Sequence, residues 1–385
     1  MNQSLVVAVR CSSYDRAEVA AAVGEALSRL EPLALPKGEP VLLKPNCLSA
    51  DHGPEAAVNT RAEVVEAVGR YLKERHQVRL LIADSGGMGT YGRTQQAYKK
   101  MGLDQTAERL GAELVNLETE TLIWLESPTG LLLPRFQATS LLNRVAAVVN
   151  LPKVKTHLLV GLTAAVKNCL GLLPGSLKRA VHVQAPTKAL MSRALVDIFA
   201  AIRPSLNIGD AVVVMEGSGP SQGQPRPAGW IIASTDGVAL DSVAGQMFGF
   251  KTGQVATTAL AGQAGLGQAD RAEISLLGAD WAELPLEGFK RPFSLAYTLA
   301  TRLIPPGPAG RALEWLAEAK PRPDRGNCQA CGQCVEACPA GALSLEGGLL
   351  RLDKKRCIEC YCCLEHCPSQ GLWVPRSFSQ RLFGR

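Results

Sequence analysis

The sequence predicts an α/β protein with a mixed or mainly parallel sheet and helices on both faces, followed by a small cysteine-rich α+β unit. Three observations predict it. Short β-branched runs alternate with segments whose apolar residues recur at helical spacing, the pattern of strands joined by crossover helices. Nine of the twelve cysteines lie between Cys328 and Cys367. The stretch A-K-P-R-P-D-R-G-N at 319–327 separates the two regions and reads as a linker. The expected organisation is an α/β domain over 1–318, the linker, a cysteine-rich unit over 328–372 and a basic tail over 373–385.

Leu5 to Cys11 reads as a first strand, and Val19, Ala22, Val23, Ala26, Leu27 and Leu30 as the stripe of a first helix. Val41 to Lys44 is a short buried strand ending in K-P-N. Thr60 is a candidate N-cap with Glu63 completing a capping box, ahead of the stripe Val64, Val65, Val68 and Leu72. Val78 to Ala83 is a strand that opens at Asp84 into a Gly-rich loop. Glu113–Leu117 and Val145–Val149 are further strands, and Thr163–Leu170 and Thr187–Ile202 are helices. Ala211–Met215 and Trp230–Ala233 are strands around a Gly/Pro-rich loop, and a helix runs from Asp236 to Phe248. A short helix at Ala309–Ala317 sits between Pro-rich breaks.

Composition narrows the function classes. The chain is nearly half apolar and one-fifth charged, with a net charge of +6 spread along its length. That balance fits a globular protein and lacks the basic-aromatic interleaving of a nucleic-acid surface. No run of about 18 apolar residues is present, so no transmembrane segment is expected. The start carries no basic residues ahead of its apolar run, and the cysteines are clustered rather than paired off. Both features lead to the expectation of a reducing cytoplasm.

The cysteine runs carry the strongest chemistry. Cys328, Cys331, Cys334 and Cys338 precede Pro339, and Cys357, Cys360, Cys363 and Cys367 precede Pro368. Each run has the C-x2-C-x2-C-x3-C-P spacing of bacterial ferredoxins with two four-iron clusters, in which the fourth cysteine ligates the other cluster. Cys328, Cys331, Cys334 and Cys367 are thus expected to hold one [4Fe-4S] cluster, and Cys338, Cys357, Cys360 and Cys363 the second, in a bacterial-ferredoxin-like α+β domain. Cys362 is off the pattern and reads as a passenger thiol.

The large domain offers polar constellations at predicted strand ends. The loop from Asp84 to Gly92 contains G-x-G-x-x-G, with Gly87 and Gly89 as candidates to approach an anionic group through backbone amides. A dinucleotide is disfavoured, because no strand with a well-placed acid follows. The segment Asn150–His182 gathers Lys153, Lys155, His157, Lys167, Lys178, Arg179 and His182, a density that suits an anionic small-molecule substrate. Lys44, Asn46, Asn168 and Glu216 are candidates to complete the pocket. Asp241 lies on an apolar helix and calls for a partner, with Lys44 and Lys167 as the options.

K-P-N near Lys44, D-S-G-G at Asp84, L-P-K-V-K-T-H at 151–157, T-A-A-V-K-N-C-L-G-L-L-P-G at 163–175, E-G-S-G-P at 216–220 and D-G-V-A-L-D at 236–241 resemble the domain-of-unknown-function 362 family. Members of that family often carry a C-terminal two-cluster ferredoxin domain. His157, Lys167 and His182 are also similar in placement to residues of the nickel-pincer lactate racemase family. That likeness implies His157 as acid/base, Lys167 as an anchor for cofactor or substrate and His182 as a possible metal ligand. A racemase needs no net electrons, so the likeness is carried over for location and not for reaction.

The sequence-based expectation is an iron-sulfur oxidoreductase. It would exchange electrons with a low-potential ferredoxin-like protein and act on a small molecule at His157, Lys167, His182, Lys44 and Asp241. The rival readings are an electron-transfer subunit without its own catalysis and a racemase-like isomerase or lyase with accessory clusters and a further metal or organic cofactor.

Overall fold

The computed structural model describes residues 3–87, 90–292 and 320–374. Gly89, the 309–317 segment and the tail beyond Val374 lie outside the described residues. The chain begins with β1 (Ser4–Arg10), α1 (Arg16–Ser28), β2 (Pro40–Pro45), α2 (Ala62–His76) and β3 (Arg79–Ile82). Then come α3 (Thr94–Met101), α4 (Leu103–Leu110), β4 (Glu113–Leu114) and a hairpin of β5 (Leu122–Glu126) with β6 (Arg135–Thr139). The middle of the chain holds β7 (Ala147–Leu151), β8 (Lys153–His157), β9 (Gly161–Thr163), α5 (Ala165–Asn168), α6 (Ser176–Gln184) and α7 (Lys188–Ile202). Two long strands, β10 (Leu206–Glu216) and β11 (Gln224–Ser234), precede α8 (Gly237–Met247), α9 (Ala256–Gln263) and β12 (Ile274–Leu277).

Apart from the β5–β6 hairpin, these strands form one mixed, mainly parallel sheet in the order β12-β1-β11-β10-β7-β2-β3-β4, with β8 and β9 joined beside β10. The antiparallel pairings are β1 with β11, β10 with β11 and β8 with β9. Side chains alternate across it as a pleated sheet requires. Val7 and Val9 of β1, with Val41 and Leu43 of β2, pack against α1 and α2. Val6 and Ala8 face the other way onto α8, and Leu42 joins Leu172 on that same far side. Helices therefore cover both faces, as expected.

Local differences from the expectations have identifiable causes. Helix α2 begins at Ala62 with Arg61 in the N-cap position and no side-chain cap. The Thr60 hydroxyl is engaged elsewhere, donating to Leu151 O at 2.7 Å and accepting from Asn46 N at 2.8 Å. The segment 163–170 is not one helix: β9 ends at Thr163, α5 spans four residues and a 3-10 turn covers Cys169–Leu172. Lys153, Lys155 and His157 lie on β8, not in a loop after a strand. Pro152 lacks an N–H and interrupts the ladder, yet its carbonyl still accepts from Asp210 N at 2.9 Å, so β8 resumes beside β10.

The C-terminal unit comprises β13 (Arg322–Pro323), α10 (Gln333–Glu336), β14 (Leu343–Glu346), β15 (Leu349–Leu352), α11 (Cys362–Glu365) and β16 (Leu372–Trp373). Strand β13 pairs with β16, so the ordered unit reaches back into the Pro-rich segment. Cys334, Cys338, Leu343, Leu350 and Leu364 share one apolar cluster with Val181, Leu195 and Phe199 of α6 and α7. Arg179 also donates to Cys338 O at 2.8 Å, and Gln222, in the β10–β11 turn, donates to Leu364 O. No helix among the described residues is long and apolar enough to cross a membrane.

Candidate functional site

Strands β2 and β3 are parallel neighbours, so their carboxyl ends open side by side, the usual ligand position in an α/β sheet. An open cavity of about 510 Å³ lies there. Asn46 and Cys47 come from the end of β2, Asp84, Ser85 and Gly87 from the end of β3. The far wall is made by Thr163, Lys167, Asn168 and Gly171 around α5, with Lys178 and His182 from α6.

Four buried polar atoms of these lining residues have no hydrogen-bond partner among the described residues: Asn46 Oδ1, Thr163 Oγ1, Asn168 Oδ1 and His182 Nδ1. Native interiors leave few such atoms, and all four belong to residues that line this one cavity. The orientation of Asn168 is set by a chain of amides. Asn207 Nδ2 reaches toward Ser234 O at 3.4 Å, Asn150 Nδ2 donates to Asn207 Oδ1 at 2.9 Å, and Asn168 Nδ2 donates to Asn150 Oδ1 at 2.8 Å. Asn150 Nδ2 also donates to Ala165 O at 3.0 Å. Carbonyls can only accept, so each amide nitrogen is committed along this chain and Asn168 Oδ1 is the atom left without a partner among the described residues.

The floor is a buried ion pair. Lys44 Nζ donates to Asp84 Oδ1 at 2.8 Å, and the other oxygen, Asp84 Oδ2, accepts from Cys47 N at 2.6 Å. Lys178 Nζ donates to Ser85 O at 2.7 Å and Gly86 O at 2.6 Å. Burial lowers the Lys178 ammonium to about 8, against the opposing pull of Asp84. Burial brings His182 down to about 3, helped by the charges of Lys167 and His366, so its imidazole is neutral at ordinary pH. Burial likewise holds His157 well below the usual histidine range, aided by Lys167, Lys155 and His182. The Cys47 thiol is pushed far up by burial and then by Asp84.

The structure brings together Asn46, Gly87, Lys167, Asn168 and His182 on the cavity wall, with Lys44 beneath it through Asp84. His157 is outside the lining. Its Nδ1 accepts from Leu159 N at 3.1 Å, and it belongs to the same electrostatic neighbourhood. Other candidates are engaged elsewhere. Lys153 is in a buried pair with Asp210 at 2.8 Å and donates to Tyr14 Oη at 2.6 Å. Lys155 Nζ donates to Val58 O. Glu216 accepts from Lys290 N at 3.1 Å. The Asp241 carboxylate accepts from the amides of Ala165 and Val166 at the start of α5, and Lys44 is paired with Asp84. The expected amide cradle of the Gly-rich loop is also not formed by its described residues. Ser85 N donates to Gly171 O, Gly87 N to Leu48 O, and Gly86 N points toward Thr94 Oγ1.

Sequence reasoning missed Asp84, Cys47 and Thr163 as individual site residues. Asp84 had a signal, as the acid at the end of a buried strand. His366 is the residue before Cys367. It is buried, burial lowers it to about 4, and its Nε2 lies 3.1 Å from where a Cβ on Gly87 would stand.

The cysteine-rich unit is a doubled structure. Equivalent positions are twenty-nine residues apart, from Cys328 to Cys357 and from Cys338 to Cys367. The copies share backbone detail. Cys328 N and Cys357 N donate to Asp324 O and Asp353 O, and Ala342 N and Gly371 N donate to Cys338 Sγ at 3.2 Å and Cys367 Sγ at 3.0 Å. Positive φ recurs at Ala330 and Glu359, Gly332 and Tyr361, Gly341 and Gln370.

No disulfide joins these cysteines. A hollow of about 290 Å³ is lined by Cys328, Cys331, Cys334 and Cys367, the crossed set that the spacing calls for. Burial pushes Cys334 up to about 12, followed by the charges of Cys367, Cys331 and Cys328. Cys363 is raised by burial and then by Cys360, Cys357, Cys338 and Cys334. Crowded thiols around a hollow, with N–H donors on the sulfurs, fit a [4Fe-4S] core. Among the described residues no group of three or more His, Cys, Asp or Glu side chains is gathered to hold a single metal ion.

The sequence model for "Domain of unknown function (DUF362)" matches residues 41–246, more than half of the chain and all of the described cavity wall. The chain belongs to the DUF362 family. A 4Fe-4S binding domain model matches residues 321–344, which include the first cysteine run. The thylakoid-associated protein sll1697 of Synechocystis sp. is 29% identical over 290 residues, covering 74% of this chain and 86% of that protein. Among solved structures, the lactate racemase apoprotein of Thermoanaerobacterium thermosaccharolyticum overlaps with 15% identity and a TM-score of 0.39. The overlap covers 62% of this chain and 56% of the racemase, so the chain spans just over half of that protein's length.

Proposed function

We propose that this DUF362 protein is an iron-sulfur oxidoreductase that reduces a small anionic molecule held in the cavity between β2, β3, α5 and α6. A low-potential ferredoxin-like protein would supply two electrons and be oxidised, while the bound molecule takes up those electrons and two protons. The carrying observation is that the cysteine-rich unit packs directly on α6, the helix that also provides Lys178 and His182 to the cavity. Cys328, Cys331, Cys334 and Cys367 would hold one cluster and Cys338, Cys357, Cys360 and Cys363 the other. Each cluster, when bound, supplies one-electron transfer without proton exchange.

The remaining work falls to side chains. Lys167 and Lys178 favour an anionic group in a site with little water to screen them. Asn168 Oδ1 orients the molecule through a hydrogen-bond donor. Lys178 Nζ, titrating at about 8, can release a proton at neutral pH and recover it from solvent. His182, being neutral, serves as a hydrogen-bonding group and not as a cation.

Anaerobic reconstitution should give about eight irons and eight sulfides per chain. The dithionite-reduced protein is then mixed with the anionic low-molecular-weight fraction of an anaerobic cell extract, and cluster absorbance is followed. The reading expects reoxidation that is lost in Lys167→Ala and His182→Ala while iron content is kept. Undiminished reoxidation in both variants would instead support an electron-transfer subunit whose large domain only docks.

A further inference from the structure

We propose that the cavity between α8, α9 and the loop joining them is a second binding site, which takes a monovalent cation of potassium's class on the oxygens of Asp241 and Thr258. It lies apart from the cavity at the ends of β2 and β3 and does not rest on the oxidoreductase reading.

Three observations carry it. An open cavity of about 250 Å³ is lined by Asp241, Ser242 and Gln246 of α8 and by Thr258 of α9, with Lys251 and Thr252 from the joining loop. Asp241 is 2% exposed, yet among the described residues no ion pair offsets its charge. Its carboxylate accepts from the backbone amides of Ala165 and Val166, and the charge that acts on it is that of a second carboxylate, Asp236. Aspartates are almost never buried this fully without a positive charge beside them. Thr258 is 5% exposed, and its Oγ1 has no hydrogen-bond partner among the described residues. A threonine hydroxyl in a helix ordinarily donates to a carbonyl of the preceding turn, and this one does not. A buried negative charge and a buried oxygen without a partner thus belong to residues that line one cavity.

The donor set decides the kind of ion. One carboxylate supplies a single negative charge, and the hydroxyls of Thr258 and Ser242 are neutral. Ser242 Oγ gives its hydrogen to Ala269 O at 2.9 Å, which leaves its lone pairs available to a cation. A monovalent ion matches this set, whereas a divalent one would leave a buried positive charge uncompensated. Lys251 stands exposed at the rim, where solvent screens its ammonium. Through Ala165 and Val166, Asp241 also links the ion to α5, the helix that carries Lys167 and Asn168 to the larger cavity.

The test is the Tm of the full chain, reconstituted anaerobically, at pH 8, above the value of about 7 to which burial raises Asp241. Potassium chloride is titrated in, with tetramethylammonium chloride holding the ionic strength constant. Wild type should show a saturable rise of about 2–4 °C. Magnesium chloride at the same ionic strength should not produce it. Asp241→Asn and Thr258→Val should each lose the rise, measured against the same variant in tetramethylammonium chloride, so that altered basal stability does not enter. Thr258→Ser keeps the hydroxyl and should keep the rise.

Equal wild-type Tm values in potassium and tetramethylammonium chloride would mean that the cavity holds only water, and would overturn the inference. A rise that survives in Asp241→Asn or in Thr258→Val overturns it too, as does one that magnesium gives and potassium does not. Cluster reoxidation is not among these readouts, so this inference and the oxidoreductase reading fail separately.

Discussion

Lys44 and Asp84 form an ion pair of 2.8 Å directly beneath Gly171, with both side chains essentially inaccessible to solvent. Removing one partner of such a pair strands a charge in the interior. Lys44→Met is therefore expected to cost about 3–5 kcal/mol in urea unfolding. Gly171→Ala should cost about 1–3 kcal/mol, since its Cβ would fall 1.9 Å from Asp84 Oδ1 and 2.6 Å from Lys44 Nζ. A Gly171→Ala protein as stable as wild type would show that the floor is looser than this geometry.

The amide chain should matter beyond the cavity that it serves. Asn150 touches no cavity space, yet Asn150→Leu leaves Asn207 Oδ1 without its donor and Asn168 Nδ2 without its best acceptor. The expected loss is about 1–3 kcal/mol. It should be accompanied by weaker binding of whatever Asn168 holds, read as a smaller Tm rise. Full stability with full binding would mean that Asn168 is positioned by its helix alone.

Asp241 and His182 should tilt the pH dependence of stability in different directions. Burial raises Asp241 from 3.8 to about 7, so between those values the folded state binds more protons than the unfolded one. Its contribution is present below about pH 4 and is lost as pH rises through 7. Asp241→Asn should remove that slope, and its stability relative to wild type should improve from about pH 4 to 7. His182 is lowered from 6.5 to about 3, so the folded state binds fewer protons there. Wild type loses stability as pH falls below about 6.5, and His182→Asn should escape that loss. Parallel Tm curves for wild type and variant across these ranges would contradict either assignment.

The proposed ligand crossing in the cysteine-rich unit would give a spectroscopic signature. Cys367→Ala should impair the same cluster as Cys334→Ala, although the two residues belong to different runs. Cys338→Ala should match Cys360→Ala. Electron paramagnetic resonance of the reduced protein distinguishes these pairs. A pattern in which each run loses its own cluster would refute the crossing.

Much of the architecture could be read from the chain because its strands and helices announce themselves by period and by Gly and Pro punctuation. The site was only partly legible. Asn168, Lys167 and His182 stand in a dense polar segment and were found. Asp241 is expected to pair with Lys44 or Lys167, yet it accepts from the amides of Ala165 and Val166, and the partner of Lys44 is Asp84. That pairing depends on β2 and β3 lying side by side, and sequence does not state strand order. Lys153 reads as a substrate ligand because it follows the predicted strand Val145–Val149, whereas its place on β8 sets it against Asp210 and Tyr14. Asn150 and Asn207 join Asn168 only through neighbouring strands, at sequence separations of 18 and 57 along the chain of bonds. His366 carried no signal beyond being next to a cysteine. It packs against Gly87, far away in sequence.

The cysteine-rich unit is held by Arg179 of α6, by Gln222 at the tip of the β10–β11 hairpin and by the His366–Gly87 contact. A body moored at one point swivels and at two points hinges, but attachments from three separate elements suppress both motions. The unit therefore behaves as a fixed fitting and not as a swinging arm. On the proposed oxidoreductase reading, its rate of electron exchange with the cavity should accordingly be insensitive to solvent viscosity.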